Sequence, residues 1–389
     1  MYNGKNICIV GPSKRFLSGI SYYTIRLANA LSSANEISVI CFRNLLPKFL
    51  FPGRAHVGKN LSLLDFSQEI RVFDGMDYNN PMTWYAAYKH LKRVKPDVII
   101  LQWWTSSVSH MHLFIKIAGM LVKSKLIIEF HEVIDPLEES IIPIRIYSHL
   151  MGTILRKNLN AYIVHSESDK SLVARRYKIE PHKIYVIPHG LYDHYGAVIE
   201  NKKAKELLSI KEEFVLLSFG LIRKYKGIQY LIEAFGQFPS NIAEKSRLLI
   251  VGEIWDDKDG LLSQIKCSPY KEKITIIDEY VPDEMIPVYF SAAHIVVLPY
   301  TRASQSGIAH IAMSFGKPVV ASEVGGLKES LRSYEGTFFV PPENIFALSE
   351  ELIKQFGGKK IYNIPALRWN TIVKNYLKLF SELGKNDKE

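Results

Sequence analysis

The stretch from Ala293 to Ala321 constrains this chain more than any other. It begins with an apolar run, Ile295-Val296-Val297-Leu298, that reads as a buried strand, and turns at Ser304-Gln305-Ser306-Gly307, where a helix would begin. Small polar side chains and a glycine there leave backbone N–H groups free to meet an anion, and the helix dipole favours negative charge at that end. Ile308, Ile311, Ala312 and Phe315 recur at helical spacing, Gly316 fits a C-terminal cap, Pro318 prevents continuation, and Val319-Val320-Ala321 is the next short strand. Strand, anion-ready turn, helix, glycine stop and strand make half of a nucleotide-binding α/β domain. The plainer reading of the same residues is a βαβ unit with no ligand.

The alternation runs through the chain. Residues 7–10, 37–42, 98–101, 126–130, 161–164 and 184–187 read as strands, and 20–31, 85–94, 113–122, 141–159 and 168–177 carry apolar residues at helical spacing. Residues 43–80, with Pro47, Pro52, Gly53 and Gly58, read as irregular. The pattern restarts with strands at 214–220, 248–252 and 274–277, and with helices at 228–235, 261–265 and 285–291. This predicts an α/β fold of doubly wound parallel sheets with helices on both faces. The 389 residues suffice for two such domains, expected at 1–190 and 191–365, with a helix in 366–389 packing back on the first. Ligands in such sheets bind beyond the carboxyl ends of strands, in a cleft between the domains. The loops 11–19, 131–136, 220–227, 252–260 and 299–307 are therefore the ones expected to carry function.

Charge is unevenly placed. Residues 1–190 hold 24 Lys and Arg against 14 Asp and Glu, whereas residues 191–389 hold 25 of each, so the net +10 lies in the first half. Such asymmetry suggests an acidic partner, either an anionic membrane surface, a lipid phosphate or a nucleic acid, unless it is a diffuse solvated excess. The helix near 113–122 either lies on a membrane or packs on the sheet. Val98 to Ile115 is the longest uncharged run, but Gln102, Ser107, His110 and His112 make it strand, loop and helix start and not a membrane span. Met1 to Asn6 leads straight into a strand, so no signal peptide is expected. Cys8, Cys41 and Cys267 are scattered and odd in number, which argues for a reducing compartment.

Gly220-Leu221-Ile222-Arg223-Lys224-Tyr225-Lys226-Gly227 follows a strand. An arginine fork at Arg223 and a point charge at Lys226, with a glycine at each end for close backbone approach, suit a diphosphate. His131 ends a strand, where it either contacts a substrate hydroxyl or packs as a structural histidine. Asp256-Asp257-Lys258-Asp259 reads as an exposed acidic turn before it reads as a metal site. A P-loop, zinc-type cysteine spacing and a Gly-x-Ser-x-Gly elbow are all missing from the sequence, so ATP hydrolysis, zinc chemistry and α/β-hydrolase chemistry lack support.

Taken in order, residues 220–235, 248–252, 280–300 and 306–329 resemble the C-terminal half of retaining GT-B glycosyltransferases of family four. Residues 18–31, Glu129-Phe130-His131-Glu132 and 186–191 resemble the first half, so the likeness spans nearly the whole chain. The resemblance implies a GT-B architecture of two Rossmann-like domains. It implies transfer of a hexose from a UDP- or GDP-sugar to a glycan or lipid-linked acceptor, in cell-surface polysaccharide or glycolipid synthesis. Retention at the anomeric carbon, no metal, no cofactor beyond the donor and no nucleic-acid partner are implied with it. Arg223 and Lys226 would bind the donor diphosphate, with Gly220, Ser306 and Gly307 adding backbone approach, Gly19 near donor and acceptor, and His131 on the transferred sugar. The implied location is cytoplasmic, at the inner face of the cell membrane, with the basic first half as the contact. One departure stands out. Two glutamates usual in the family fall at Ala303 and Ile311, leaving Ser304 or Gln305 for sugar hydroxyls. The alternative implied by that loss is a catalytically weak module that partners another transferase.

Overall fold

The computed structural model describes residues 4–12, 19–45, 64–133, 142–358 and 361–385. Its chain divides into two units, Met1–Gly190 with Leu367–Glu389, and Leu191–Ala366. In the first, strands β1 (Asn6–Pro12), β2 (Glu36–Asn44), β3 (Arg71–Asp77), β4 (Val98–Trp103), β5 (Lys125–Phe130), β6 (Ala161–Val164) and β7 (Ile184–Val186) form one sheet. Their order is β3-β2-β1-β4-β5-β6-β7 and each pairing is parallel. The crossovers carry helices α1 (Gly19–Ser32), α2 (Pro81–Val94), α3 (Ser109–Leu121), α4 (Ile142–Arg156) and α5 (Glu167–Tyr177).

Covered faces explain the apolar strand runs: all six residues of β4 are buried. Alternation then divides each strand between two cores. Cys8 and Val10 join Ile99, Leu101 and Ile128 on one face, and Ile7 and Ile9 join Ile100 and Ile127 on the other.

The second unit repeats the plan. Strands β8 (Phe214–Phe219), β9 (Ser246–Val251), β10 (Ile274–Ile277), β11 (Ile295–Leu298), β12 (Val319–Ser322) and β13 (Thr337–Val340) are ordered β10-β9-β8-β11-β12-β13, again parallel. Its helices are α6 (Asn201–Leu207), α7 (Ile228–Gly236), α8 (Ser240–Ala243), α9 (Lys258–Cys267), α10 (Ile286–Ala292), α11 (Gly307–Ser314), α12 (Gly325–Leu331) and α13 (Ile345–Lys354). Strand order reverses between β8 and β11, and the crevice beyond such a reversal is where open α/β sheets bind ligands. Loop 220–227 leaves β8 and loop 299–306 leaves β11, so topology sets the two anion-ready loops side by side.

The final helix, α14 (Trp369–Lys385), returns to the first unit. Trp369, Ile372, Val373, Tyr376, Leu379, Phe380 and Leu383 recur at spacings of three and four, and all enter the core with Ile7 and Ile9.

Residues 43–80 are not uniformly irregular. β3 pairs with β2 inside that stretch, with register shifts at Phe42 and Asn44. It is an edge strand with Val72 41% exposed, so its sequence need not be apolar. Helix α2 starts earlier than residue 85, because the Asn80 side chain accepts from Met82 N at 3.1 Å and Pro81 suits the first helical position. Strand β13 and helix α13 add to the elements read from sequence. Parts of the expected loops 11–19 and 131–136, namely 13–18 and 134–136, lie outside the described residues, as do residues 46–63.

Candidate functional site

In the second unit the β8 and β9 exits meet at bare backbone. Gly252, at φ +142°, would drive a Cβ to 2.2 Å from the Gly220 carbonyl oxygen, so no side chain fits there. Arg223, the first cation of the loop, has an extended backbone, and its Nε donates to Asp256 Oδ2 at 3.3 Å. Its guanidinium lies 5.5 Å from the Trp255 ring centroid, and the side chain stays 30% exposed. Asp256 also accepts from Lys224 N at 3.1 Å, and Asp257 caps α9 by accepting from Gly260 N at 3.2 Å. Asp256 is thus held by the 220–227 loop and Asp257 by the start of α9.

Lys226 points the other way. Its Nζ donates to Tyr300 Oη at 2.5 Å and sits 4.1 Å from that ring's centroid. Tyr300 is 1% exposed, and burial pushes its phenol above the ordinary tyrosine range, so it remains a neutral O–H. The oxygen accepts from the ammonium and shares a hydrogen bond with Ser306 Oγ at 3.3 Å. Ser306 in turn caps α11, accepting from Ala309 N at 3.3 Å. The two loops are also joined through backbone, Thr301 N donating to Tyr225 O at 2.8 Å. Lys226, Ser306 and the start of α11 at Gly307 therefore form one hydrogen-bonded group.

Ser304 and Gln305 lie between these groups in sequence. Both amide atoms of Gln305 are buried with no hydrogen-bond partner, and so is Trp255 Nε1 beside Arg223. Buried polar atoms are rarely left so, and each is a donor or acceptor in hand for a ligand. Ala303 contributes its carbonyl to Gly326 N at 3.1 Å. Ile311 is 4% exposed within α11.

In the first unit, His131 follows β5 and is buried among polar groups that the sequence reading missed. His131 Nε2 bonds Gln102 Oε1, and Gln102 Nε2 donates to Glu129 Oε2 at 2.6 Å. His131 Nδ1 lies 3.3 Å from His165 Nε2, whose Nδ1 donates to Ile187 O at 2.9 Å. Glu129 Oε1 accepts from Tyr23 of α1 at 2.8 Å and from Tyr376 of α14, and lies 3.7 Å from His165 Nε2. Burial, and then the adjoining His165, hold the His131 imidazole well below the ordinary histidine range. Burial and the Glu129 charge push both tyrosines up. Gly19, the first residue of α1, is exposed.

One signal for this cluster was available in the sequence. Gln102 and Glu129 are polar interruptions in otherwise apolar strands, and they are direct register partners. Among the described residues, Glu129, His131 and His165 are also the group able to converge on a metal, their ligand atoms lying within 4.8 Å of one another. Glu129 Oε1 is already bonded by Tyr23 and Tyr376, and the two histidines face each other.

Two family descriptions fit the chain: Glycosyltransferase Family 4 over residues 17–193 and Glycosyl transferases group 1 over residues 199–366. An uncharacterised glycosyltransferase of Methanocaldococcus jannaschii is 24% identical over 248 residues, 61% of this chain and 62% of that relative. The GDP-mannose:glycolipid 4-beta-D-mannosyltransferase of Xanthomonas campestris is 32% identical over 106 residues, 27% of this chain and 29% of that enzyme. The chain thus spans less than two thirds of either relative. Among solved structures, a glycosyltransferase from Rickettsia africae superposes with a TM-score of 0.70 at 18% identity, covering 99% of this chain and 100% of that one. The Anabaena protein HepE, in complex with UDP and glucose, gives 0.70 at 16% identity over 98% of this chain and 100% of its own. At these identities the likeness to solved structures establishes the fold.

Proposed function

The chain belongs to the group 1 glycosyltransferases of family 4 and has their GT-B fold, and from that premise we propose that it transfers a hexose from a UDP- or GDP-sugar with retention at the anomeric carbon. The acceptor is a glycan or lipid-linked molecule, in cell-surface polysaccharide or glycolipid synthesis at the cytoplasmic membrane face. The observation that carries this reading is the hydrogen-bonded line from Lys226 through Tyr300 to Ser306. It ties a fixed cation to a helix start beyond the reversal of strand order, where the leaving diphosphate would rest.

Breaking the bond from the anomeric carbon to the diphosphate oxygen leaves an electron pair on that oxygen. Lys226, Arg223 and the backbone N–H groups at Gly307 receive the charge, the task a metal performs in other transferases. Arg223 exchanges its Asp256 partner for phosphate. Gly220 allows close approach, while Ser304 and the unpartnered Gln305 amide take hydroxyls of the donor. On the first unit, Gly19 approaches the substrates and His131 contacts the transferred sugar. The HepE complex with UDP and glucose, and the GDP-mannose enzyme, motivate the two donor classes.

Nucleotide release from a panel of UDP- and GDP-sugars tests the proposal. Turnover of one donor, lost in Arg223→Ala, is the expected result; no binding or hydrolysis of any donor, with Arg223→Ala indistinguishable from wild type, overturns it. Ala303 and Ile311 favour a second reading, a weakly catalytic partner of another transferase, for which the panel would give donor binding without turnover.

A further inference from the structure

Glu129 and Gln102 stand opposite each other on neighbouring strands β5 and β4, and both are fully buried. Buried polar side chains persist where their hydrogen bonds are met, so the partners of each decide its orientation. Glu129 takes hydrogens on both oxygens, from Tyr23 of α1 and Tyr376 of α14 at Oε1, and from Gln102 Nε2 at Oε2. The two phenol oxygens lie 2.7 Å apart, so helices from the two ends of the chain close on one carboxylate. Gly11 makes room for the amide, since a Cβ there would stand 3.1 Å from Gln102 Cγ.

A carboxylate offers acceptors and no donor. Gln102 must therefore turn its NH₂ to Glu129 and its Oε1 to His131. That oxygen accepts from His131 Nε2, which puts the ring hydrogen on Nε2 and leaves the Nδ1 lone pair facing His165, 3.3 Å from its Nε2. His165 is fixed in turn by Ile187 O, which takes the hydrogen of its Nδ1 at 2.9 Å. Tyr23 also meets the His131 ring edge-on, with centroids 4.6 Å apart. The tautomer and direction of a working imidazole are set by the group bonded to its other nitrogen, and here that group is an amide aimed by Glu129.

We infer that Glu129 is a positioning residue for His131: through Gln102 it fixes the Nε2–H tautomer, while Tyr23 and Tyr376 hold the carboxylate in place. The last helix of the chain thereby takes part in the site. That the tautomer matters for transfer rests on the proposed function, which sets His131 on the transferred sugar. The tautomer itself is read without any sugar donor, so the two readings fail separately.

The experiment is long-range proton–nitrogen correlation NMR on the full chain labelled with ¹⁵N-histidine, in which protonated and bare ring nitrogens resonate far apart. The chain has 12 histidines, and His131 is assigned by the signals lost in His131→Gln. The wild-type ring should carry its hydrogen on Nε2. In Glu129→Gln the new amide can donate to Gln102, which lets Gln102 reverse. His131 then accepts at Nε2 and donates from Nδ1 to His165 Nε2, so the hydrogen should move to Nδ1. With a donor that wild type turns over, kcat should fall at least about tenfold. Gln102→Met removes the acceptor at Nε2 and gives the same reading if Glu129→Gln does not fold. Tyr376→Phe deletes one hydroxyl, leaves the acceptor-only carboxylate, and should keep the Nε2–H form. A wild-type ring protonated on Nδ1 or on both nitrogens overturns the inference. So does a tautomer that stays in place in Glu129→Gln and Gln102→Met, one that moves equally in Tyr376→Phe, or one that moves while kcat stays at the wild-type value.

Discussion

His165 Nε2 stands 3.3 Å from His131 Nδ1, and the hydrogens available to the pair follow from their other partners. Ile187 O can only accept, so His165 Nδ1 carries a hydrogen. Gln102 gives its amide N–H to the Glu129 carboxylate, so its Oε1 faces His131 and Nε2 of that ring carries a hydrogen as well. The Glu129 carboxylate lies 3.7 Å from His165 Nε2.

His165 is therefore expected to act on the reaction through His131. His165→Phe should lower kcat about 10-fold, less than the roughly 10²–10⁴-fold of an acid–base group lost outright, because His131 itself stays in place. Because the two rings work as a unit, the double variant with His131→Ala should be no slower than His131→Ala alone. Losses that multiply instead would make the two histidines independent. The pH profile of kcat gives a second readout, since a purely structural role of His165 would leave its shape unaltered.

Lys226 and Tyr300 can be separated by substitution. Lys226→Met removes the cation and should cost about 10²–10³-fold in kcat, the magnitude of losing one preorganised charge-stabilising group. Tyr300→Phe keeps the ring under the ammonium, 4.1 Å from its centroid, but breaks the link to Ser306. A loss of about 10–150-fold in kcat/KM is expected, the equivalent of a hydrogen bond to a charged group worth about 1.5–3 kcal/mol. Rates measured with EDTA should equal those with magnesium, and a chelator-sensitive rate would require a metal in place of these cations.

The strand–helix alternation and the loops after β8 and β11 were legible because a parallel sheet buried on two faces writes continuous apolar runs such as Val98 to Leu101 and Val319 to Ala321. β3 was not legible, since an edge strand with one side in water needs no such run. Tyr300 and Tyr376 were hidden for a different reason. Each looks like a core aromatic at its local spacing, and its hydroxyl acquires meaning only from a partner distant in sequence, as with Tyr376 and Glu129. Lys226 and Ser306 were readable singly, but their connection depended on β8 and β11 being neighbours.

Gln305 should trade stability against binding. Its amide is buried with neither atom bonded, a cost of about 1–3 kcal/mol. Gln305→Ala removes that cost, so the melting temperature without ligand should hold or rise. The upward shift on adding nucleotide sugar should shrink, and KM for the donor should increase. A variant that loses stability without ligand while keeping wild-type KM would make Gln305 a packing residue.

His112 makes stability depend on pH in a direction that can be worked out. It is fully buried on α3, its ring centroid 5.0 Å from that of Phe42 and 6.1 Å from that of Trp103. Burial first, and then the charge of His110, lower it from the ordinary 6.5 to about 3. Below pH 6.5 the unfolded chain takes up a proton at this position that the folded chain refuses, so stability falls as pH falls and levels off only near pH 3. The slope attributable to one such group is at most about 1.4 kcal/mol per pH unit. His90, lowered to about 4 by burial and then by Arg93 and Arg71, adds to the slope in the same direction. Urea unfolding of wild type and His112→Phe, compared at pH 7 and pH 5, isolates the His112 share. The aromatic replacement should narrow the pH 7 to pH 5 loss, because a phenyl ring binds no proton in either state, and an equal loss in both proteins would mean that His112 titrates normally in the folded state.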